Sequence, residues 1–156
     1  MIRIFELTKK YGAKTAIENV SFSIQAGEVV GFLGPNGAGK STTMNLMTGY
    51  LFPTSGTVQI EGVDVFSNRN LVRGKIGYMP ELPPLYGNMT VMEYLAFVYS
   101  LKKVQKPRTQ HLNTLCEQTK IADVSGRLIR NLSKGYRQRV GLAQALVGDP
   151  PILILD

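Results

Sequence analysis

Residues 29–47 set the tightest limit on what this chain can fold into. Val29-Val30-Gly31-Phe32-Leu33 is a short apolar run with a β-branched entry, and Ser41 to Met47 is made of good helix formers. Between them lies Gly34-Pro35-Asn36-Gly37-Ala38-Gly39-Lys40-Ser41, a glycine-rich loop followed by Thr42. The apolar run predicts a strand buried on both faces, as in a parallel sheet covered by helices. The loop fits G-x-x-x-x-G-K-[ST] in the strand-to-helix setting that this pattern requires. Its glycines let the backbone bend until successive N–H groups point inward as a nest for phosphate oxygens. The helix that follows adds the positive end of its dipole. Lys40 can reach the β- and γ-phosphates, and the Ser41 hydroxyl can bind Mg²⁺. Residues 34–41 are therefore expected to hold a nucleoside triphosphate.

The last five residues supply a second half for such a site. Ile152-Leu153-Ile154-Leu155 reads as a buried strand, and Asp156 stands at its carboxyl end, where an acidic group can face Mg²⁺ and its waters. Many buried strands end in Asp, so this feature gains weight only beside the phosphate loop.

The remaining sequence fills in an α/β chain. Ile2 and Ile4, then Val20, Phe22 and Ile24, alternate with polar residues and predict half-buried strands in an antiparallel layer. Met44, Met47 and Leu51 share one face of the helix after the loop, which Pro53 is expected to stop. Thr57 to Ile60 and Val63 to Val65 form a hairpin across Glu61-Gly62, and Ile76 to Met79 is a short strand ended by Pro80. From Thr90 the period becomes helical. Thr90 and Glu93 make a capping box, Val91, Leu95 and Val98 share a stripe, and Leu112, Leu115 and Thr119 mark a second helix. Ser133 caps a third, running through Val140, Ala143 and Leu146 to Gly148-Asp149-Pro150.

Composition narrows the function classes. Hydrophobic content of 44% and charged content of 19% exclude a disordered chain. No segment approaches the ~18 consecutive apolar residues of a membrane-spanning helix, and the polar start excludes a signal peptide. A cytosolic location is expected. The single cysteine, Cys116, excludes an internal disulfide and is expected to be a packed side chain. The net charge of +7 is dispersed, which favours a solvated face over a nucleic-acid or membrane surface.

Between the phosphate loop and the final strand lies Leu132-Ser133-Lys134-Gly135-Tyr136-Arg137-Gln138-Arg139, ahead of a helix. This resembles the signature segment of the ATP-binding cassette (ABC) ATPases, usually L-S-G-G-Q, and the spacing to Asp156 also fits that family. Pro53-Thr54-Ser55-Gly56 and Ile60-x-Gly62-x-Asp64 look like its early hairpin. The resemblance runs through nearly all 156 residues. It implies a P-loop NTPase (RecA-like) parallel sheet core, an N-terminal antiparallel β layer and a helical insertion. Residues of about 1–80 and 136–156 would form the nucleotide-binding core, and about 81–135 the helical subdomain with the signature.

The resemblance also implies roles. ATP would bind Gly34, Pro35, Asn36, Gly37, Ala38, Gly39, Lys40, Ser41 and Thr42, with Tyr11 stacked on adenine. Ser133 and Gly135 would meet the γ-phosphate held by a second ABC domain in a head-to-tail dimer. Lys40, Glu81 and Asp156 would be the catalytic set, and Ser41, Glu81 and Asp156 the Mg²⁺ ligands. The partner would be a membrane-spanning permease, reached from the cytoplasmic face as a peripheral subunit, with no nucleic acid. Three departures stand out: Glu81 replaces a glutamine, Lys134 and Tyr136 replace two signature residues, and the chain stops before the family's water-polarising glutamate. The first two resemble type-2 exporter subunits. The third leads to the expectation that the C-terminal part of the domain is missing, that sheet edges are uncovered, and that the 156-residue chain hydrolyses little. His111 precedes the signature, cannot serve as the family's γ-phosphate-sensing histidine, and is expected to be an exposed helix residue. A non-transport ABC ATPase acting on nucleic acid or ribosomes remains the alternative. A GTPase or small-molecule kinase would leave Ser133 to Arg139 unexplained.

Overall fold

The computed structural model describes all of residues 1–156, which divide into two compact units, residues 1–73 and 74–156. In the first unit, β1 (Ile2–Tyr11), β2 (Lys14–Ile24), β3 (Ser55–Ile60) and β4 (Val63–Asp64) form an antiparallel sheet in the order β2-β1-β3-β4. β1 is central, pairing Ile4 with Phe22 on one side and with Val58 on the other. The alternation of the sequence becomes a buried face of Ile2, Ile4, Leu7, Val58 and Ile60. Each such side chain contributes about 1.5–3 kcal/mol on leaving water. α1 (Lys40–Met47) adds Leu46 and Met47 to the buried residues of this unit, and α2 (Arg69–Gly74) adds Val72.

Two expectations fail in this unit. Val29–Leu33 belongs to neither sheet, and Val29 and Leu33 are 101% and 96% exposed. A strand apolar on both faces needs a neighbour on each edge, and none of β1 to β4 pairs with it. Phe32 alone of the run is anchored, edge-on to Phe22 with ring centres 5.4 Å apart. The helix after the loop also ends earlier than Pro53 implies. Thr48 caps it, and Gly49 turns left-handed at φ 67°, so Leu51 lies beyond it.

In the second unit β5 (Ile76–Met79) and β6 (Ile152–Leu155) pair in parallel, from Ile76 beside Ile152 to Met79 beside Leu155. Between them come α3 (Val91–Leu101), α4 (Arg108–Gln118), two 3-10 turns (Ala122–Val124 and Ile129–Asn131) and α5 (Lys134–Leu146). Val91, Leu95, Val98, Leu112, Leu115 and Val140 are core members of one apolar cluster, and Cys116 is packed within it as expected. The capping box of α3 is complete: the Thr90 hydroxyl accepts from the Glu93 N–H at 3.2 Å, and the Glu93 carboxylate accepts from the Thr90 N–H at 2.7 Å. The Thr90 backbone N–H first, and the Thr90 hydroxyl second, hold the Glu93 carboxyl below the usual carboxylate range.

α5 lies close against β5 at Gly77. A Cβ on Gly77 would stand 2.3 Å from the Ala145 carbonyl oxygen and 2.8 Å from a Pro150 ring carbon. Gly77→Ala is therefore expected to cost about 2–3 kcal/mol, as overpacking does where backbone must move. Urea unfolding of wild type and variant measures it; a loss under about 0.5 kcal/mol would contradict the close approach.

Candidate nucleotide site

Within the first unit, the loop before α1 is folded by its own backbone. The Ala38 N–H donates to the Pro35 carbonyl at 3.2 Å, and the Thr43 N–H and hydroxyl both donate to the Gly39 carbonyl, at 2.8 and 2.9 Å. Gly39 forms the N-cap at φ 87°, a left-handed position that costs an ordinary residue free energy. A Cβ there would stand 2.4 Å from the Ile17 side chain and 2.7 Å from the Ala16 carbonyl. Glycine is thus required twice over, by the turn and by the adjacent strand β2. Lys40 folds back across the loop, its Nζ donating to the carbonyls of Gly34 at 2.7 Å and Pro35 at 2.8 Å. The first turn of α1, which holds Ser41 and Thr42, carries no acidic residue. A positive dipole end, a bent glycine backbone and an ammonium are gathered with no nearby acid on the helix to oppose an anion.

Tyr11 ends β1 opposite Lys14, and its ring is about half exposed, with the Lys9 Nζ 4.9 Å from its centre. An exposed aromatic face at a hairpin end can stack on a flat base.

The acidic residues belong to the second unit. Because β5 and β6 are parallel, their carboxyl ends share one edge, and the Asp156 N–H donates to the Met79 carbonyl at 2.9 Å. Asp156 follows β6 and Glu81 follows β5 by two residues, so the topology places both acidic residues at that edge. This is where open parallel sheets bind ligands.

Ser133 is the N-cap of α5, with backbone angles of −63° and 163° and its hydroxyl accepting from the Tyr136 N–H at 3.4 Å. A cap of this kind contributes about 1 kcal/mol to a helix. Gly135 sits in the first turn, with no atom within 4 Å of where a Cβ would stand. No acidic residue occupies that turn. Gln138 in the next turn donates from Nε2 to the Glu81 carbonyl at 2.9 Å. No local pattern announces this link between α5 and the Glu81 loop, because the bonded positions lie 57 apart.

At its other end α5 is held by Lys102, whose Nζ donates to the Val147 carbonyl at 2.9 Å, a favourable cation at a helix C-terminus. Burial lowers the pKa of that ammonium. Tyr94 donates to Gln144 Oε1 at 2.7 Å, and burial pushes its phenol up to about 12, so it stays protonated.

His111 is not the exposed helix residue that the sequence suggests. It is buried at 9% exposure, and its Nε2 accepts from the Gly148 N–H at 3.0 Å. Gly148 lies in the turn between α5 and β6, where helical bonding has stopped and an orphan N–H needs an acceptor. His111 therefore steadies the approach to β6 and Asp156. Its neutral form with the proton on Nδ1 is the one that can accept this bond.

Comparisons with known proteins agree in direction. A profile of the ABC transporter family matches residues 17–156. The chain is 40% identical over 157 residues to the uncharacterized ABC transporter ATP-binding protein YxlF of Bacillus subtilis, covering 100% of this chain and 52% of that protein. It is 38% identical over 159 residues to the probable multidrug ABC transporter ATP-binding protein YbhF of Escherichia coli, covering 100% of this chain and 27% of that protein. The chain thus spans only part of the length of these relatives. Among solved structures, it superposes on the ATP-binding cassette MJ0796, a post-hydrolysis dimer bound to ADP and Pi, with a TM-score of 0.90 and 27% identity; 100% of this chain and 73% of that one are covered. With the family match running from residue 17 to residue 156 and a solved cassette superposing on the whole chain, the chain belongs to the ABC transporter family and has the fold of its ATP-binding cassette.

Proposed function

We propose that the chain is the ATP-binding part of an ABC transporter subunit that couples ATP hydrolysis to export through a separate membrane-spanning permease. The observation that carries this reading is the bent loop before α1, with Lys40 folded across its carbonyls and a helix N-terminus behind it. ATP binds here when its phosphate oxygens accept the loop N–H groups and the Lys40 ammonium exchanges the Gly34 and Pro35 carbonyls for anionic partners. The ammonium already makes charge-assisted bonds to those carbonyls, and an anionic phosphate oxygen adds the attraction of a full opposite charge. Gly34 to Thr42 hold the phosphates, and Tyr11 covers the base.

Ser41, Glu81 and Asp156 offer a hydroxyl and two carboxylates, hard oxygen donors of the kind Mg²⁺ takes. When bound, Mg²⁺ neutralises charge on the β- and γ-phosphate oxygens. Glu81 in place of the family's usual glutamine keeps an oxygen donor and adds a negative charge beside Asp156. Ser133 and the Gly135 N–H, at a helix start without acidic residues, meet the γ-phosphate of a second cassette placed head to tail. MJ0796 is dimeric in its ADP- and Pi-bound state, which supports that arrangement. Residues of about 81–135, the helical subdomain, press on the permease at the cytoplasmic face, while about 1–80 and 136–156 form the nucleotide-binding core. Closure on ATP and reopening after hydrolysis then move the transport path. The likeness to YbhF, a probable multidrug ABC transporter ATP-binding protein, favours export.

Affinity purification of the full-length protein from its native membranes tests the reading. Co-purification of a polytopic membrane protein, with ATPase activity in the complex, is the expected result. Recovery with nucleic acid or ribosomes and no membrane protein would replace transport by the non-transport alternative.

A further inference from the structure

Two side chains in the first two turns of α5 fasten the helix at one side. The Tyr136 hydroxyl donates to Asp123 Oδ2 at 2.7 Å, and Arg139 Nη1 donates to the Lys120 carbonyl at 3.2 Å. Tyr136 and Arg139 are three residues apart, hence neighbours on one helix face. They support each other, with the Arg139 guanidinium 5.3 Å from the centre of the Tyr136 ring. Both reach the segment from Lys120 to Val124, which is itself pinned: Ile121 and Val124 are buried in the apolar cluster, and the Ile121 N–H donates to the Cys116 carbonyl at 2.9 Å. Against these fixed tethers, the cap bond from the Tyr136 N–H to Ser133 is long at 3.4 Å, and the space beside Gly135 is open. The direction in which the first turn points is therefore set from Tyr136 outward more than by its own cap. Where the family's segment usually has glutamine, a phenol supplies a rigid arm with two rotatable bonds and a donor at its tip.

We propose that Tyr136, through its hydrogen bond to Asp123, is a positioning residue that aims Ser133 and the Gly135 N–H at the nucleotide of the facing cassette. This rests on the reading of Ser133 and Gly135 as nucleotide-facing. A site of this kind works only when its donors are held within about 0.5 Å of the productive geometry. The Asp123 carboxylate raises the pKa of the phenol, which keeps the donor proton in place at neutral pH. Because the tether acts on the facing nucleotide, it governs the closed dimer and not the first encounter of ATP with its own phosphate loop.

Steady-state ATP hydrolysis by the full-length protein separates these stages. Tyr136→Phe keeps the ring and its contact with Arg139 while removing the donor, and Asp123→Ala removes the acceptor. Each is expected to lower kcat about fivefold while KM for ATP stays within about twofold. Asp123→Asn, which retains an acceptor oxygen, is expected to recover most of the loss, and Tyr136→Phe is expected to add nothing to Asp123→Ala. Asp123 is exposed, so thermal unfolding should shift by no more than about 2 °C, and a purely structural role would not give the kcat-only pattern. Unchanged kcat in both single variants, while Ser133→Ala remains impaired, would overturn the tether and leave the nucleotide reading standing. If Ser133→Ala also turns over normally, the nucleotide-facing reading itself fails and the proposal falls with it.

Discussion

Replacing Lys40 by alanine should weaken ATP binding by at least about a hundredfold, close to 3 kcal/mol at 1.4 kcal/mol per decade. The expectation comes from what the ammonium does in the folded loop. Its two bonds to the Gly34 and Pro35 carbonyls are charge-to-neutral contacts at the protein surface, and water can replace them at little cost. A triphosphate offers the same donors several formal negative charges at the mouth of a helix dipole, so the variant loses far more in the complex than in the free protein. Fold stability should accordingly change by under about 0.5 kcal/mol. Titration of the full-length protein with a fluorescent ATP analogue, beside a thermal melt, measures both quantities. An unaltered dissociation constant would refute the assignment of residues 34–42.

Asp156→Asn is the complementary experiment, with turnover as its readout. The main chain at this position is fixed by the bond from the Asp156 N–H to the Met79 carbonyl, which asparagine keeps. The substitution removes a formal charge and leaves the shape. On the proposed reading of Asp156 as a Mg²⁺ ligand, kcat for ATP hydrolysis by the full-length protein should fall about a hundredfold or more, while ATP affinity changes by a few-fold at most. The two variants thus separate capture of the phosphates from the chemistry on them. Turnover within about threefold of wild type would show that Asp156 does not serve the reaction.

How much of this could be read from the sequence depends on the range of the interactions concerned. The Thr90–Glu93 capping box, the Ser133 cap, and the glycines and lysine of residues 34–41 are local patterns, and their geometry follows from a few neighbouring residues. The strands at Thr57 to Ile60 and Ile152 to Leu155 are legible from alternation and from unbroken apolarity, but the burial expected of the second holds only at Ile154, with Leu153 and Leu155 41% and 50% exposed. The failures lie where distant segments decide. Val29–Leu33 has the composition of a buried strand, but composition cannot say which strand lies alongside, and in the structure none pairs with it. His111 is expected to be exposed from its place in the helical insertion, yet it is buried and its Nε2 takes the orphan N–H of Gly148, 37 positions away. The short helix α2 is too brief to show a period in the sequence. The bonds from Gln138 to Glu81 and from Tyr136 to Asp123 were equally invisible, and they tie the signature-like segment to its surroundings.

The parallel pairing of β5 and β6 has a consequence for how the protein acquires its shape. Ile76 finds Ile152 only after the whole intervening stretch has been gathered in, so the closure is entropically expensive and intrinsically slow. The helices between them are joined by near neighbours: α3 begins with its own capping box, α4 passes directly into the turn at Ala122, and α5 starts on a serine cap. Such local pieces form early, and α5, already close to β5 at Gly77, then delivers β6 to its partner. On this order of events the strand edge that carries Glu81 and Asp156 is completed after the helices that separate its two strands along the chain.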